Sequence, residues 1–335
     1  MTTPNIVLSV VDEHRTNFFN PEAIARLHSL GSLNLDPDPR NHATPESRAT
    51  LADAEVLITG WETGRLDELL HTMPALKLLV HSGGSVRDVV GPQLFERGVR
   101  MSSQTQLNAE PVAEYTLAMI ILAAKDIFAS RRAYLELRDK PEDFWDAFPT
   151  IGLYGSTVGL IGLSRISRLV IKYLRPFHCT IKVQSGHLSP AEAASLGVEC
   201  TSLDELLRTS DVISLHSAST PRTYHMLGAE QFATIKDGAT FINTARGAIC
   251  DQEALITELQ KDRIRAIIDV TDPEVNAPDS PLWTLPNVFL TPHAAGSMGR
   301  ELYRLGDGAV DDVANYLNGA PIAGEFTAAQ YSTRA

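Results

Sequence analysis

The stretch TVGLIGLSRISRLVIKYLRP, residues 157–176, decides how the rest of the chain is read. A short apolar run at 158–161 meets Gly162, and an apolar pattern at helical spacing then continues to Pro176. Strand, tight turn and helix in that order open a dinucleotide-binding βαβ unit, whose fingerprint is G-x-G-x-x-G. The first glycine makes the turn, the second lets backbone amides approach a pyrophosphate, and the third permits close packing of helix on strand. Here only Gly162 is kept, and Ser164 and Ser167 stand at the other two positions. Serine is small, its hydroxyl can donate to a phosphate oxygen, and a helix N-terminus attracts anions whatever the side chains. Taken alone, the motif fits a plain strand–turn–helix without a ligand equally well.

Outward from this unit the alternation continues. Apolar runs at 158–161, 180–184, 212–215, 240–243, 266–269 and 288–290 predict six strands, as a doubly wound dinucleotide domain requires. Upstream, strands at 6–11, 56–59, 78–81 and 100–102 alternate with helical stretches at 23–30 and 66–70, which implies a second parallel sheet. A long helix starts near Ala109, because Ala113, Leu117, Ile120, Ile121 and Ala124 recur at helical spacing. The segment 140–150, with Pro141 and Pro149, breaks regularity and is read as a crossover between domains. A helical pattern at 302–317 then returns to the first domain, and the last dozen residues, from Ala323, read as loosely held. The expected fold is α/β: two doubly wound parallel-sheet, Rossmann-like domains with an active-site cleft between them. Residues 1–105 plus 298–335 form a discontinuous, flavodoxin-like substrate-binding domain, and residues 106–297 the dinucleotide-binding domain.

Bulk properties agree with two cores, since 335 residues exceed what one hydrophobic core usually organises. Lys and Arg number 29 against 41 Asp and Glu, and the net charge of −12 repels phosphate backbones and anionic lipid. Neither nucleic acid nor membrane is an expected partner. The longest apolar run, 117–124, is far short of the ~20 residues of a membrane helix. The first eleven residues lack a basic leader with a long apolar stretch, so a cytoplasmic location is expected. Cys179, Cys200 and Cys250 are odd in number and widely spaced, and are read as buried, reduced thiols. No histidine pair has metal-ligand spacing, and no metal is expected.

Three motifs carry the chemistry: FINTARGA at 241–248, IDVTDPE at 268–274 and PNVFLTPHAAG at 286–296. With LDELL at 203–207, SDVISLH at 210–216 and NAEPVAE at 108–114, they resemble the D-isomer-specific 2-hydroxyacid dehydrogenase family along most of the chain between Leu76 and Gly308. The resemblance implies catalytic roles for Arg246, Glu274 and His293. It implies cofactor contacts from Gly162, Ser164, Arg165, Ile166, Thr244, Ala245, Asp269, Ala295 and Gly296, with Asp269 holding the nicotinamide carboxamide. It further implies that Gly83, Gly84, Ser85 and Val86 hold the substrate carboxylate by their amides, with Asn108 nearby, and that homodimers form through the long helices of the cofactor domain. The sequence departs from the family pattern at Ser164 and Ser167, at Ala218 where proline is usual, and in Ser85-Val-Arg87.

The residue types suit the reaction. Reducing a 2-keto acid needs a hydride at C2 and a proton on the carbonyl oxygen. Imidazole titrates near the operating pH, so His293 is the candidate acid and base. Glu274 on the far ring nitrogen would favour imidazolium and orient the ring. The planar guanidinium of Arg246 matches carboxylate and carbonyl oxygens as an ammonium does not. Each residue alone has an ordinary reading: a turn histidine, a solvated loop carboxylate, a surface cation. All three lie just past predicted strand ends, where open α/β sheets bind ligands.

The acidic residue that bonds the adenine ribose should lie about 20 positions beyond the glycine turn. That count falls at His187, and no Asp or Glu occurs between Thr180 and Pro190. His187 either faces a 2'-phosphate or is an exposed loop histidine, which leaves NAD and NADP both open as cofactor. Trp61 and Arg65, just past the strand 56–59, either help shape the substrate pocket or, as is commoner for a tryptophan, simply pack, and Gly60-Trp61-Glu62 lacks the cations a phosphorylated substrate needs. The expected function is hydride transfer between a nicotinamide cofactor and a small 2-keto or D-2-hydroxy acid. The alternatives are a non-catalytic NAD(P)-binding sensor and, more narrowly, an NADPH-dependent glyoxylate/hydroxypyruvate reductase.

Overall fold

The computed structural model describes residues 3–138 and 151–334; the proposed crossover at 140–150 lies outside the described residues. The chain divides into two compact units, Met1–Ala109 with Ser297–Ala335, and Glu110–Gly296. The division falls inside the helix Thr105–Ala124.

The first unit is built on five parallel strands, β1 (Asn5–Ser9), β2 (Ser32–Leu35), β3 (Val56–Thr59), β4 (Leu78–His81) and β5 (Arg100–Ser103), in the order β2-β1-β3-β4-β5. That is the flavodoxin-like order. Alternation along each strand feeds two cores. Ile6, Leu8, Ile58 and Val80 meet the helices Pro21–Leu30 and Leu302–Leu317 on one face, and Val7, Leu57, Leu79 and Met101 meet Leu51, Leu66, Leu94 and Phe326 on the other. The sequence reading missed β2, because its four residues, Ser-Leu-Asn-Leu, are exposed or half-buried at the sheet edge and carry no apolar run.

Residues 323–331 are not loosely held, which corrects that expectation for them. Phe326 is only 4% exposed, and its amide donates to the Met101 carbonyl at 3.2 Å. Arg100 donates twice to the Glu325 carboxylate, at 2.6 and 2.8 Å, and the Tyr331 hydroxyl donates to the Val90 carbonyl at 2.7 Å. A single buried aromatic among small and polar residues hid this docking from a periodicity argument.

The second unit holds seven parallel strands: β6 (Thr157–Ile161), β7 (Thr180–Gln184), β8 (Glu199–Cys200), β9 (Val212–Leu215), β10 (Thr240–Asn243), β11 (Arg265–Ile268) and β12 (Val288–Leu290), ordered β12-β11-β10-β9-β6-β7-β8. The strand order reverses between β6 and β9, the switch point beside which doubly wound sheets bind ligands. Six strands were expected; the seventh, β8, is two exposed residues on the edge. Cys200 on it is exposed and Cys179 half-buried, so only Cys250 fits the reading of buried thiols, its burial pushing the thiol up to about 12. Among the described residues no helix is long and apolar enough to cross a membrane.

Truncating a buried aromatic typically costs ~3–5 kcal/mol. Phe326→Ala should therefore lower the urea midpoint of the first unit's unfolding by several times the shift seen for an exposed substitution such as Glu96→Ala. Equal midpoints would mean that the end of the chain does not contribute to the core.

Candidate active site

At the fingerprint, Gly162 has φ +95° and its amide donates to the Gln184 carbonyl at 2.8 Å. A Cβ there would lie 2.7 Å from both the amide nitrogen and the hydroxyl of Ser217, so only glycine makes this turn. Ser164 caps the ten-residue helix Arg165–Leu174, its hydroxyl accepting from the Ser167 amide at 3.3 Å. Ser167 is fully buried and donates its own hydroxyl to the Ser164 carbonyl at 2.9 Å. The third fingerprint position thus tolerates serine because the turn itself satisfies the hydroxyl. The amides of Leu163, Ser164, Arg165 and Ile166 make no hydrogen bond among the described residues. Four open donors at a helix N-terminus form an anion cradle.

β7 ends at Gln184, where the apolar run at 180–184 put it, three residues before His187. Ser185 is the first residue past the strand and its hydroxyl accepts from the His187 amide at 3.3 Å, which turns the chain before the helix Pro190–Leu196 begins. His187 lies in that turn, exposed, three residues beyond the strand tip at Gln184.

Three further strand tips in this unit are joined by hydrogen bonds and backbone packing. Asp269, just past β11 and 2% exposed, accepts from the Thr291 hydroxyl at 2.5 Å and from the amides of Ala294 and Ala295 at 2.7 and 3.0 Å. Its carbonyl accepts from the His293 amide at 2.9 Å. Thr291 is also bonded to the Tyr115 hydroxyl at 2.9 Å. These bonds hold His293 at φ +54°, a conformation uncommon for a residue with a side chain. The His293 ring meets Glu274 through Nδ1 at 2.5 Å, with both side chains about half exposed. Glu274 is placed by its own carbonyl, which accepts from the Thr271 hydroxyl at 3.0 Å.

Arg246 is exposed past β10, in the turn before Gly247–Ile249. Asn243 shapes the turn, accepting from the Ala245 amide at 3.0 Å and donating to the Arg246 carbonyl at 3.2 Å. A Cβ on Gly247 would collide with the Thr271 carbonyl, so this turn rests directly on the backbone three residues ahead of Glu274. Thr244 is buried, its hydroxyl bonded to Thr116 at 3.1 Å, and Ala245 and Gly296 are half-buried.

In the first unit the loop after β4 is bonded differently. The Gly83 carbonyl accepts from the Gln104 amide at 3.0 Å, and the Gly84 carbonyl from the Thr105 hydroxyl at 2.9 Å. The amides of Gly83, Gly84, Ser85 and Val86 have no partner among the described residues, so the loop presents donors. Asn108 accepts from the Ser297 amide at 3.0 Å, and its Nδ2 lies 3.7 Å from where a Cβ on Gly84 would be. The Trp61 indole packs on Gly83, whereas Arg65 turns to Asp67 at 2.5 Å and to the Arg87 carbonyl at 3.1 Å. Gly247, Thr105 and the pair Tyr115–Thr291 went unremarked in the sequence; only Gly247, beside Arg246, carried a signal that could have been followed.

The family model described as "D-isomer specific 2-hydroxyacid dehydrogenase, NAD binding domain" matches residues 117–295. The chain is similar to the D-3-phosphoglycerate dehydrogenase of Mycobacterium bovis, at 33% identity over 281 residues, covering 83% of this chain and 51% of that protein. It is 31% identical to the glyoxylate/hydroxypyruvate reductase B of Yersinia pseudotuberculosis, covering 89% and 90% respectively. A solved protein of Thermus thermophilus is 30% identical, with a TM-score of 0.74, covering 96% of this chain and all of that one. The chain spans about half the length of the phosphoglycerate dehydrogenases it matches.

Because of its contact with the Thr271 carbonyl, Gly247→Ala should displace the Arg246 turn, and misplacement of about 1 Å at a reacting centre costs on the order of 100-fold. Intrinsic protein fluorescence on titration with the dinucleotide should still report binding. A Gly247→Ala enzyme with wild-type kcat/KM would show that the close approach is unimportant.

Proposed function

Because this chain belongs to the D-isomer-specific 2-hydroxyacid dehydrogenase family, we propose that it reduces a small 2-keto acid to the D-2-hydroxy acid, and the reverse, with a nicotinamide dinucleotide. The observation that carries this reading is the 2.5 Å contact between Glu274 and Nδ1 of His293. With Nδ1 given to the carboxylate, Nε2 is the nitrogen that exchanges a proton with the carbonyl oxygen. When bound, the nicotinamide supplies or receives the hydride. Arg246 binds the substrate carboxylate and polarises the carbonyl as charge develops on its oxygen. The open amides of Gly83 to Val86, with Asn108 beside them, suit a substrate carboxylate. The cradle at 163–166 takes the pyrophosphate, with Gly162 and Ser164 shaping it. Thr244, Ala245, Asp269, Ala295 and Gly296 border the nicotinamide.

The cations near Trp61 support an unphosphorylated substrate. Arg40 is paired with Glu62 and Glu13, and Arg65 with Asp67, so neither is left for a phosphate. A homodimer is proposed as well, supported by Ile127 and Leu135, which are 40% and 53% exposed on the helix Ile127–Leu137; light scattering in solution tests it.

His293→Ala should lower kcat for reduction by ~100- to 10,000-fold while the dinucleotide still binds. Glu274→Gln should lower kcat less than His293→Ala does, since the ring keeps a partner at Nδ1 but loses the charged one. Near-normal turnover by His293→Ala on the best of a panel of keto acids would overturn the assignment.

For the cofactor we propose weak discrimination between NAD and NADP, because neither Ser185 nor His187 can repel a 2'-phosphate. An aspartate at either position should raise the NADH-to-NADPH ratio of kcat/KM, bounded by the ~1.5–3 kcal/mol of one charged hydrogen bond. A wild type already strict for NADH, and unmoved by both substitutions, would place ribose recognition elsewhere.

A further inference from the structure

His81 ends β4 immediately before the loop of open amides, and it is 1% exposed. Its Nδ1 is bonded to the hydroxyl of Thr59 at 3.0 Å; Thr59 ends β3, is fully buried, and lies opposite His81 in the parallel register. Its Nε2 is buried with no partner among the described residues. A Cβ on Gly83 would fall 2.5 Å from that Nε2 and 2.9 Å from Nε1 of Trp61, so the two rings grip the Cα of Gly83 from one side. Burial pushes the His81 imidazole down to about 4, so the ring packed there is neutral near pH 7. Trp61 is in turn buttressed by Phe18 at a ring separation of 5.0 Å, edge to face.

An unpartnered buried nitrogen is unfavourable, and a packed apolar side chain would fill the same space without it. What imidazole adds over leucine is a fixed ring orientation, set by one hydrogen bond to a neighbouring strand. We propose that His81, oriented by Thr59 and working with Trp61, is a positioning residue that holds Gly83 so that the amides of residues 83–86 point in one direction as a set. This rests on the reading of that loop as the holder of the substrate carboxylate. The carbonyls of Gly83 and Gly84 are already anchored to Gln104 and Thr105. The ring grip fixes the other side of the peptide chain at Gly83.

The experiment compares His81→Leu, Thr59→Val and Thr59→Ser by steady-state kinetics with the best keto acid and by calorimetry with oxamate, an unreduced carboxylate analogue, on the cofactor-loaded enzyme. His81→Leu should raise the keto-acid KM and the oxamate Kd by about 10- to 100-fold, the cost of a misplaced binding group. Its kcat and its dinucleotide Kd should change by less than about threefold. Thr59→Val should give a smaller shift in the same direction, Thr59→Ser should restore wild-type values, and the double variant should be no worse than His81→Leu alone, because the two residues act as one unit. Unchanged KM and oxamate Kd in Thr59→Val and His81→Leu overturn the proposal, as do equal losses of dinucleotide and oxamate affinity. If His81→Leu fails to fold, the Val and Ser pair at Thr59 decides alone. A wild type that binds oxamate but reduces no keto acid would defeat the proposed reaction and leave the loop proposal to the oxamate series.

Discussion

One buried carboxylate holds the second unit's chemistry in place. Asp269 receives a hydroxyl and two amides from the segment that follows β12, while its own carbonyl takes the amide of His293. Neighbouring parallel strands lie about 4.8 Å apart, so residues just past the tips of β10, β11 and β12 start as neighbours. Proximity alone would leave His293 on a mobile turn, and the four bonds to Asp269 remove that freedom. The uncommon backbone angle at His293 then persists because its surroundings over-determine it. On the other side of β11, a glycine lets the Arg246 turn lie against the Thr271 backbone. The three residues proposed for the reaction are thus all referenced to the same strand.

Much of this was legible in the sequence, for identifiable reasons. Most of the inner strands are buried on both faces and appear as apolar runs, and such runs, with shorter ones at the half-buried β7 and β12, located β1, β3 to β7 and β9 to β12, ten of the twelve strands among the described residues. The two missed, β2 and β8, are edge strands with exposed side chains, where burial does not impose composition. The docked end of the chain was missed because one phenylalanine and one bidentate ion pair have no period. Within the site, Arg246, Glu274 and His293 could be named from their motifs, but the hydrogen bond between Glu274 and His293 depends on how two loops fold back.

The serines of the fingerprint show how a pattern can be broken without losing its geometry. Gly162 is irreplaceable because of its backbone angle and the approach of Ser217. Ser164 and Ser167 occupy positions where a small side chain can be absorbed, one as a helix cap and the other by bonding back to the cap's carbonyl. The amides that matter for an anion remain open. Glycine at these positions is therefore a preference for space, and the first alone is a requirement of conformation. The ribose position rests on a count of residues alone: the count falls at His187, while β7 ends at Gln184 and the turn that follows is set by Ser185.

A net charge of −12 stands against the proposed ligands, which are anions. At physiological ionic strength the Debye length is about 8 Å, so the summed surface charge is largely screened, whereas a hydrogen bond made inside a pocket is not. The donors that count here are mostly uncharged: four amides at 163–166 and four at 83–86. Formal charge cannot register them, because nearly every residue has an amide and only the fold determines which are left open. In the first unit Gln104 and Thr105 take the carbonyls of Gly83 and Gly84, and the four amides have no partner among the described residues. A chain can thus stay acidic overall and still leave local sets of donors open to anions, and in the proposed reaction Arg246 is needed only where a charge must respond to the developing oxyanion.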